Sequence, residues 1–319
     1  MRSWGYKIIL KYFAPISKNP IKYLSCAFAL LGAFYTLVEI EQSIWSSEIL
    51  LTFFRNNLAI IIFVIIFISI IIYREKLEFS AFLGTKDDKI TLKMSDLFKL
   101  KDTAIVIPTN TTFDTTMNGD FISEKSVQGQ FQRKYYGVDF AELDKSLQFS
   151  LDEQYPNDYI ELNDRDRTKR KRYGIGTVSK VTREKTHYYF LAVADISKRG
   201  KPENVTMQNM TQALVSLWDY LSKEGHSEMI TIPVIGTGRG GLKDGNIEDV
   251  IHETIFSFTL AAQEEFVAKG LTICIYPPTL KNANVTWDDL CNYLKLQCCF
   301  AVENEKRRKQ SMVSSSPVE

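Results

Sequence analysis

The hydrophobic pattern divides the chain into two unlike parts. Residues 58–73, LAIIIFVIIFISIIIY, place thirteen Leu, Ile, Phe or Val in sixteen positions. Such a run favours bilayer insertion by roughly 4–8 kcal/mol. A hydrocarbon core of ~30 Å needs about 20 helical residues, so the span is predicted to begin near residues 51–54. A weaker apolar segment, 23–40, precedes it. Ser25, Ala29 and Ala33 recur there at every fourth position with Gly32 beside them, and small residues at that spacing let membrane helices approach closely. A cleaved signal peptide reads similarly, but the stronger second segment makes a two-helix transmembrane hairpin the expectation.

Charge orients the hairpin. Arg2, Lys7, Lys11, Lys18 and Lys22 precede the first span, and Arg74 and Lys76 follow the second. The connecting stretch holds Glu39, Glu41 and Glu48 and no Lys or Arg. The positive-inside rule then predicts both termini in the cytoplasm, with residues 1–20 as a basic amphipathic helix on the inner surface. The polar triplet Arg55, Asn56 and Asn57 falls near one end of the second span. It reads either as an arginine reaching headgroups or as the lining of a helix contact or aqueous path.

From about residue 88 the pattern is that of a water-soluble α/β domain. Residues 90–94 alternate like a strand, and 102–108, DTAIVIP, form a short apolar run suited to a buried central strand. Strands are also predicted at 176–181, 187–194, 229–235 and 271–276. Helices are predicted at 124–136, 139–151, 204–223, 247–269 and 287–296. Strand–helix alternation implies layered α/β packing around a parallel or mixed sheet. The expected organisation is a basic segment 1–22, two transmembrane helices within 23–75, a linker 76–87, a nucleotide-binding domain 88–300 and a disordered tail 301–319.

Composition adds exclusions. The net charge of +1 points to no nucleic-acid partner. Five irregularly spaced cysteines and three histidines contain no CxxC pair, so no metal or other cofactor is expected, and the cysteines suit a reducing compartment. The run RDRTKRKR at 165–172 reads as a solvated loop or a contact to anionic lipid.

Two segments carry chemistry. In 232–242, IPVIGTGRGGL, an apolar strand leads into Gly236, Thr237, Gly238, Arg239, Gly240 and Gly241, then Leu242, with a helix predicted from about 246. Glycines let backbone N–H groups approach an anion, and a helix N-terminus adds partial positive charge. No GK[ST] follows, so this is not a Walker loop, and it lies too late to be a dinucleotide fingerprint. In 94–114, Asp96 precedes a buried strand that delivers Thr109 and Asn110 at its carboxyl end, where α/β sheets bind ligands. A carboxylate can accept from an adenine amino group, and an asparagine amide can hold a ribose hydroxyl.

The order of these segments resembles the macro domain family, which binds ADP-ribose, and within it the domain of transmembrane effectors of Thoeris-type bacterial antiphage systems. The likeness spans about residues 85–297. It implies a three-layer α/β/α domain with a mixed central sheet, and it implies site roles. Asp96 would contact adenine, Leu97 would donate its backbone N–H, and Asn110 would lie near the distal ribose. Residues 236–242 would wrap the diphosphate, and Tyr276 would stack on adenine. The usual N-A-A-N is here Pro108, Thr109 and Asn110, and of the following glycine run only Gly119, with Asp120, is kept. That departure removes the usual hydrolytic loop. The resemblance implies a non-enzymatic effector in the bacterial inner membrane, multi-pass and homo-oligomeric. It would be triggered by an ADP-ribose-type signal such as histidine-ADP-ribose, made by a TIR-domain enzyme, to disrupt the lipid bilayer. The alternatives are a tethered ADP-ribosyl hydrolase, with Asp114 or Asp120 orienting water, and a passive anchored ADP-ribose reader.

Overall fold

The change of pattern near residue 77 is a change of packing unit: residues 1–77 form one unit and 78–319 another. The computed structural model describes all residues except 1–4, 6–7, 46–47, 85–87, 118–120, 164–168, 198–199, 237–240, 282 and 315–319.

In the first unit a π-helical turn Ile9–Phe13 and a short helix Ala14–Lys18 precede two long helices, α1 (Pro20–Trp45) and α2 (Ile49–Ile72). Both are long and apolar enough to cross a membrane. Phe54 stacks on Phe34 with ring centres 5.7 Å apart. The Tyr23 hydroxyl donates to the Tyr73 carbonyl at 2.9 Å, and the Glu41 carboxylate accepts from the Leu50 N–H at 3.0 Å, holding the start of α2.

The second unit holds β1 (Glu78–Phe82), β2 (Lys89–Met94), β3 (Ala104–Asn110), α3 (Val127–Tyr136), α4 (Ala141–Gln154), β4 (Val178–Arg183), β5 (Thr186–Ile196), α5 (Met207–Glu224), β6 (Met229–Pro233), α6 (Ile247–Glu264), β7 (Gly270–Ile275) and α7 (Trp287–Ser314). The sheet order is β1–β2–β7–β6–β3–β5–β4, with a short strand Pro202–Glu203 added to β5. The inner strands β2, β7, β6, β3 and β5 run parallel, and β1 and β4 close the sheet antiparallel. This is a mixed sheet.

Side-chain alternation sends each strand's residues to both faces. Ile105, Ile107, Tyr188, Phe190 and Ala192 pack with Phe131 of α3 and Leu143, Leu147 and Leu151 of α4. The intervening Val106, Tyr189 and Leu191 are also buried and face the layer of α5, α6 and α7. There the Trp218 indole N–H donates to Ser257 Oγ at 3.0 Å, and its ring meets Phe258 edge-on. His252 of α6 stacks on Tyr293 of α7 at 3.6 Å.

Two expectations are corrected. Residues 78–82, expected in a linker, form β1, because β2 offers a free edge and Ser80 bonds Thr91 across it at 2.8 Å. The expected disordered tail from 301 is helical to Ser314: Ala301 is buried, and its carbonyl accepts from Gln263 of α6. Packing of the helix base carries the polar turns that follow. The cysteines among the described residues are all free, and burial pushes the Cys298 thiol up to about 12.

Candidate ligand-binding site

The carboxyl ends of β2, β7, β6 and β3 lie side by side, and sheet register sets the candidate residues level there. Ile275 pairs with Met94, and the next residue of each strand is Tyr276 or Ser95, with Asp96 one further on. Cys274 pairs with Pro233, which brings Tyr276 level with Ile235. β3 pairs with β6 at Ala104–Ile230 and Ile105–Thr231, and its carboxyl end delivers Asn110 beside the β6 end that leads into Gly236. Four neighbouring strands thus present Asp96, Tyr276, Gly236 and Asn110 in that order. At ~4.8 Å between strands, the row is about 14 Å long.

Asp96 is exposed and starts a 3₁₀ turn, Leu97–Lys99. Its Oδ1 accepts from the Phe98 N–H at 3.2 Å. Leu97 is buried among the α3 side of the core, which fixes the turn. Tyr276 is 51% exposed just past β7.

Thr109 and Asn110 are both buried. Thr109 does not face a ligand freely: its hydroxyl donates to Gln128 Oε1 at 3.0 Å. The Asn110 Oδ1 accepts from the Thr112 N–H at 3.0 Å and the Asp114 N–H at 3.3 Å, and lies 2.8 Å from the Thr112 hydroxyl oxygen. Its carbonyl therefore builds the loop, and its Nδ2 has no partner among the described residues. Gln128 closes the loop from α3 by donating to the Asp114 carbonyl at 2.7 Å. Gln132, one turn on, donates to the Thr115 carbonyl at 2.6 Å. The Asp114 carboxylate is buried and accepts from the Thr112 hydroxyl. Gln128 and Gln132 were missed in the sequence; two amides at i and i+4 on a helix after a polar loop were the available signal. Gly119 and Asp120 lie outside the described residues.

After β6, Val234 and Ile235 are buried and Gly236 has φ +78, a left-handed conformation that favours glycine. Gly241 follows with φ +53. Thr237, Gly238, Arg239 and Gly240 lie outside the described residues. Ile235, Gly236, Leu242, Asn246, Ile247 and Val250 line a cavity of about 120 Å³. The loop's return is docked on the start of α5: Asp244 accepts from the Met207 N–H at 2.8 Å, and the Lys243 N–H donates to the Val205 carbonyl at 3.1 Å.

The N-terminus of α6 lies beside this cavity and is capped by its own side chains. Asn246 Oδ1 accepts from the N–H groups of Glu248 and Asp249 at 2.7 and 3.1 Å, and Asp249 caps the Asn246 N–H in return. This capping box takes first-turn donors, and two carboxylates offset the helix dipole.

The basic run at 165–172 is described from Lys169. Lys169 pairs with Asp144 at 3.0 Å and Lys171 with Asp152 at 2.8 Å. The latter bond lowers the Asp152 pKa and raises that of Lys171. These lysines brace α4 rather than forming a separate cationic patch.

A mixed six-to-eight-strand sheet between two helical layers, with a glycine loop beside an Asx-built loop at one edge, defines a macro domain. The chain belongs to the family described as Thoeris protein ThsA, macro domain, whose model matches residues 90–276. Thoeris protein ThsA of Bacillus amyloliquefaciens (strain Y2) is 20% identical over 206 residues, covering 63% of this chain and 67% of that protein. Among solved structures, the Oceanobacillus iheyensis macrodomain with ADP is similar at 12% identity and TM-score 0.44, covering 72% of this chain and 100% of that one. The Trypanosoma brucei macrodomain in complex with ADP-ribose is similar at 11% identity and TM-score 0.41, covering 66% and 68%.

Proposed function

We propose that this protein is a membrane-anchored effector whose macro domain binds an ADP-ribose-type signal nucleotide. Binding then drives the helical hairpin to disrupt the bacterial cell membrane in antiphage defence. The observation that carries the reading is that Asp96, Tyr276, Gly236 and Asn110 follow the carboxyl ends of four adjacent strands in that order. It orders an acceptor and an aromatic for adenine, glycine amides for a diphosphate, and an amide donor for the distal ribose, in the order ADP-ribose carries those groups. Leu97, Thr237, Gly238, Arg239, Gly240, Gly241 and Leu242 complete the proposed contacts. Two apolar helices in the same chain supply the membrane element. The signal's source would be a TIR-domain enzyme and its distal group histidine.

The binding reading is favoured over hydrolysis by Asp114, whose buried carboxylate is engaged with Thr112 inside the loop. The test uses the full-length chain in detergent micelles, titrated calorimetrically with ADP-ribose and its histidine conjugate. Gly238→Asp sets a carboxylate against the diphosphate and should lower affinity at least about 100-fold, or ~2.7 kcal/mol, with an unchanged melting temperature. Unchanged affinity removes the cradle assignment. Dye release from vesicles carrying the wild-type chain, on adding the same nucleotides, tests the membrane step.

A further inference from the structure

The sheet does not stop at Asn110. The next strand, β5, runs parallel to β3, and Asn110 pairs with its Ala194. Asp195 follows Ala194 directly, at the same carboxyl edge. The order of groups along that edge therefore gains a fifth member, a carboxylate, beyond the residue proposed to hold the distal ribose.

Asp195 sits where both loops of the site are anchored. The Thr111 hydroxyl, on the residue after Asn110, donates to its Oδ1 at 2.9 Å, and the Thr111 N–H donates to the Ala194 carbonyl at 3.0 Å. From the other side the Asn204 Nδ2 donates to its Oδ2 at 2.9 Å. Val205, the next residue, is where the return of the glycine loop docks through the Lys243 N–H. The carboxylate is thus held between the loop after β3 and the lead-in to α5, with both oxygens oriented.

Its charge is not balanced. Both partners are neutral donors, and no Lys, Arg or His pairs with it among the described residues. Glu203 lies directly opposite it on the short strand added to β5 and has no ion pair among the described residues either. That register sets the two Cβ atoms about 4.5–5.5 Å apart, and like charges directly opposite are destabilising. Asp195 is only half-buried, so part of its side chain still meets solvent. An ionised carboxylate accepts at about four sites, and two are taken. Its neighbour Asn110 is buried with an unpartnered Nδ2, a second polar group left for a ligand at the same corner.

We propose that Asp195 sets the specificity of this site: it selects a nucleotide whose distal ribose carries a positively charged group such as a protonated amine. A charge-assisted hydrogen bond is roughly twice as strong as a neutral one. A site holding an unpaired polar group also rejects the analogue that cannot pair it. The inference rests on the ADP-ribose reading of the site and adds to it the charge of the substituent.

The test titrates the full-length chain in detergent micelles calorimetrically with three ligands. They are ADP-ribose, its conjugate with histidine joined through the ring, and the same conjugate acetylated on the α-amine, which removes the positive charge. The wild-type chain should bind the charged conjugate about tenfold or more tighter than either of the others. Asp195→Asn keeps the shape and one acceptor oxygen. It should lose that preference, while its affinity for ADP-ribose changes less than about threefold. Equal wild-type affinity for the charged and acetylated conjugates overturns the proposal, whether or not the variant folds. So does a variant that keeps the preference, or one that loses all three ligands alike at an unchanged melting temperature, which would make Asp195 a positioning residue for the loops. A wild type that binds none of the three overturns the nucleotide reading as well; one that binds ADP-ribose without the preference overturns this inference alone.

Discussion

The loop after β3 and the loop after β6 leave the same edge of the sheet from adjacent strands, yet they are held by different chemistry. In the first, residues 110–115 are all buried, and side chains do the holding: Asn110, Thr112, Gln128 and Gln132 bond the loop's backbone and one another. In the second, the described residues Gly236 and Gly241 bring no side chain. Among the described residues its return is tied down by Asp244 and the Val205 carbonyl. The first is a wall fixed by side chains. A buried loop must satisfy its polar groups internally, whereas a loop proposed to meet an anion would keep its N–H groups for it.

The largest effect expected from this contrast is on the wall. Gln128→Ala leaves the Asp114 carbonyl and the Thr109 hydroxyl without their partner, at about 1–3 kcal/mol each. Chemical denaturation should show a loss of about 2–4 kcal/mol. A loss below 0.5 kcal/mol would mean that the wall is not held by these bonds. Gly236→Ala acts on the other loop. It forces a Cβ into a left-handed residue and within 3.4 Å of the Met210 methyl, which costs about 1–2 kcal/mol. Nucleotide affinity should fall more than stability does; the reverse would make this glycine a folding residue alone.

The smallest effect separates both loops from the domain around them. Burial, then the nearby His187 and Lys180, lowers the His226 pKa against the opposing pull of Glu228, and burial lowers that of His252 against Glu248 and Asp249. A histidine depressed in the folded state binds its proton more readily when unfolded. Its stabilisation is complete above the unfolded value of ~6.5 and declines as pH falls through the folded value. Melting temperature should therefore drop modestly between pH 7 and pH 5. Neither loop contains a histidine, so nucleotide affinity should hold over the upper part of that range. Melting that is flat with pH would remove the histidine assignment.

Much of the fold was legible. The β3 strand was read from the apolar run after Asp102, and α5 from the stripe of Met207, Met210, Leu214, Leu217 and Leu221, all buried in the structure except Met207, which is half-buried. The start of α6 was legible from its glycines, but not its capping box, in which Asn246 and Asp249 bond each other's backbone N–H groups. The strand β1 escaped notice because five residues of EFSAF become a strand only when β2 accepts them as an edge. The tail helix escaped for a similar reason: its polar turns are carried by the packed base at Leu290, Leu294 and Cys298.

What the sequence determined by itself is local. Apolar spans long enough for a bilayer, strand and helix periods, and glycines where the main chain must approach a ligand are all properties of neighbouring residues. Only the tertiary structure decided that β7, from near the end of the chain, pairs with β2, from near the start of the domain. That pairing stands Tyr276 beside Asp96. Periodicity says which face of a strand is buried, but nothing about which distant strand lies next to it. The site exists only through that second kind of information.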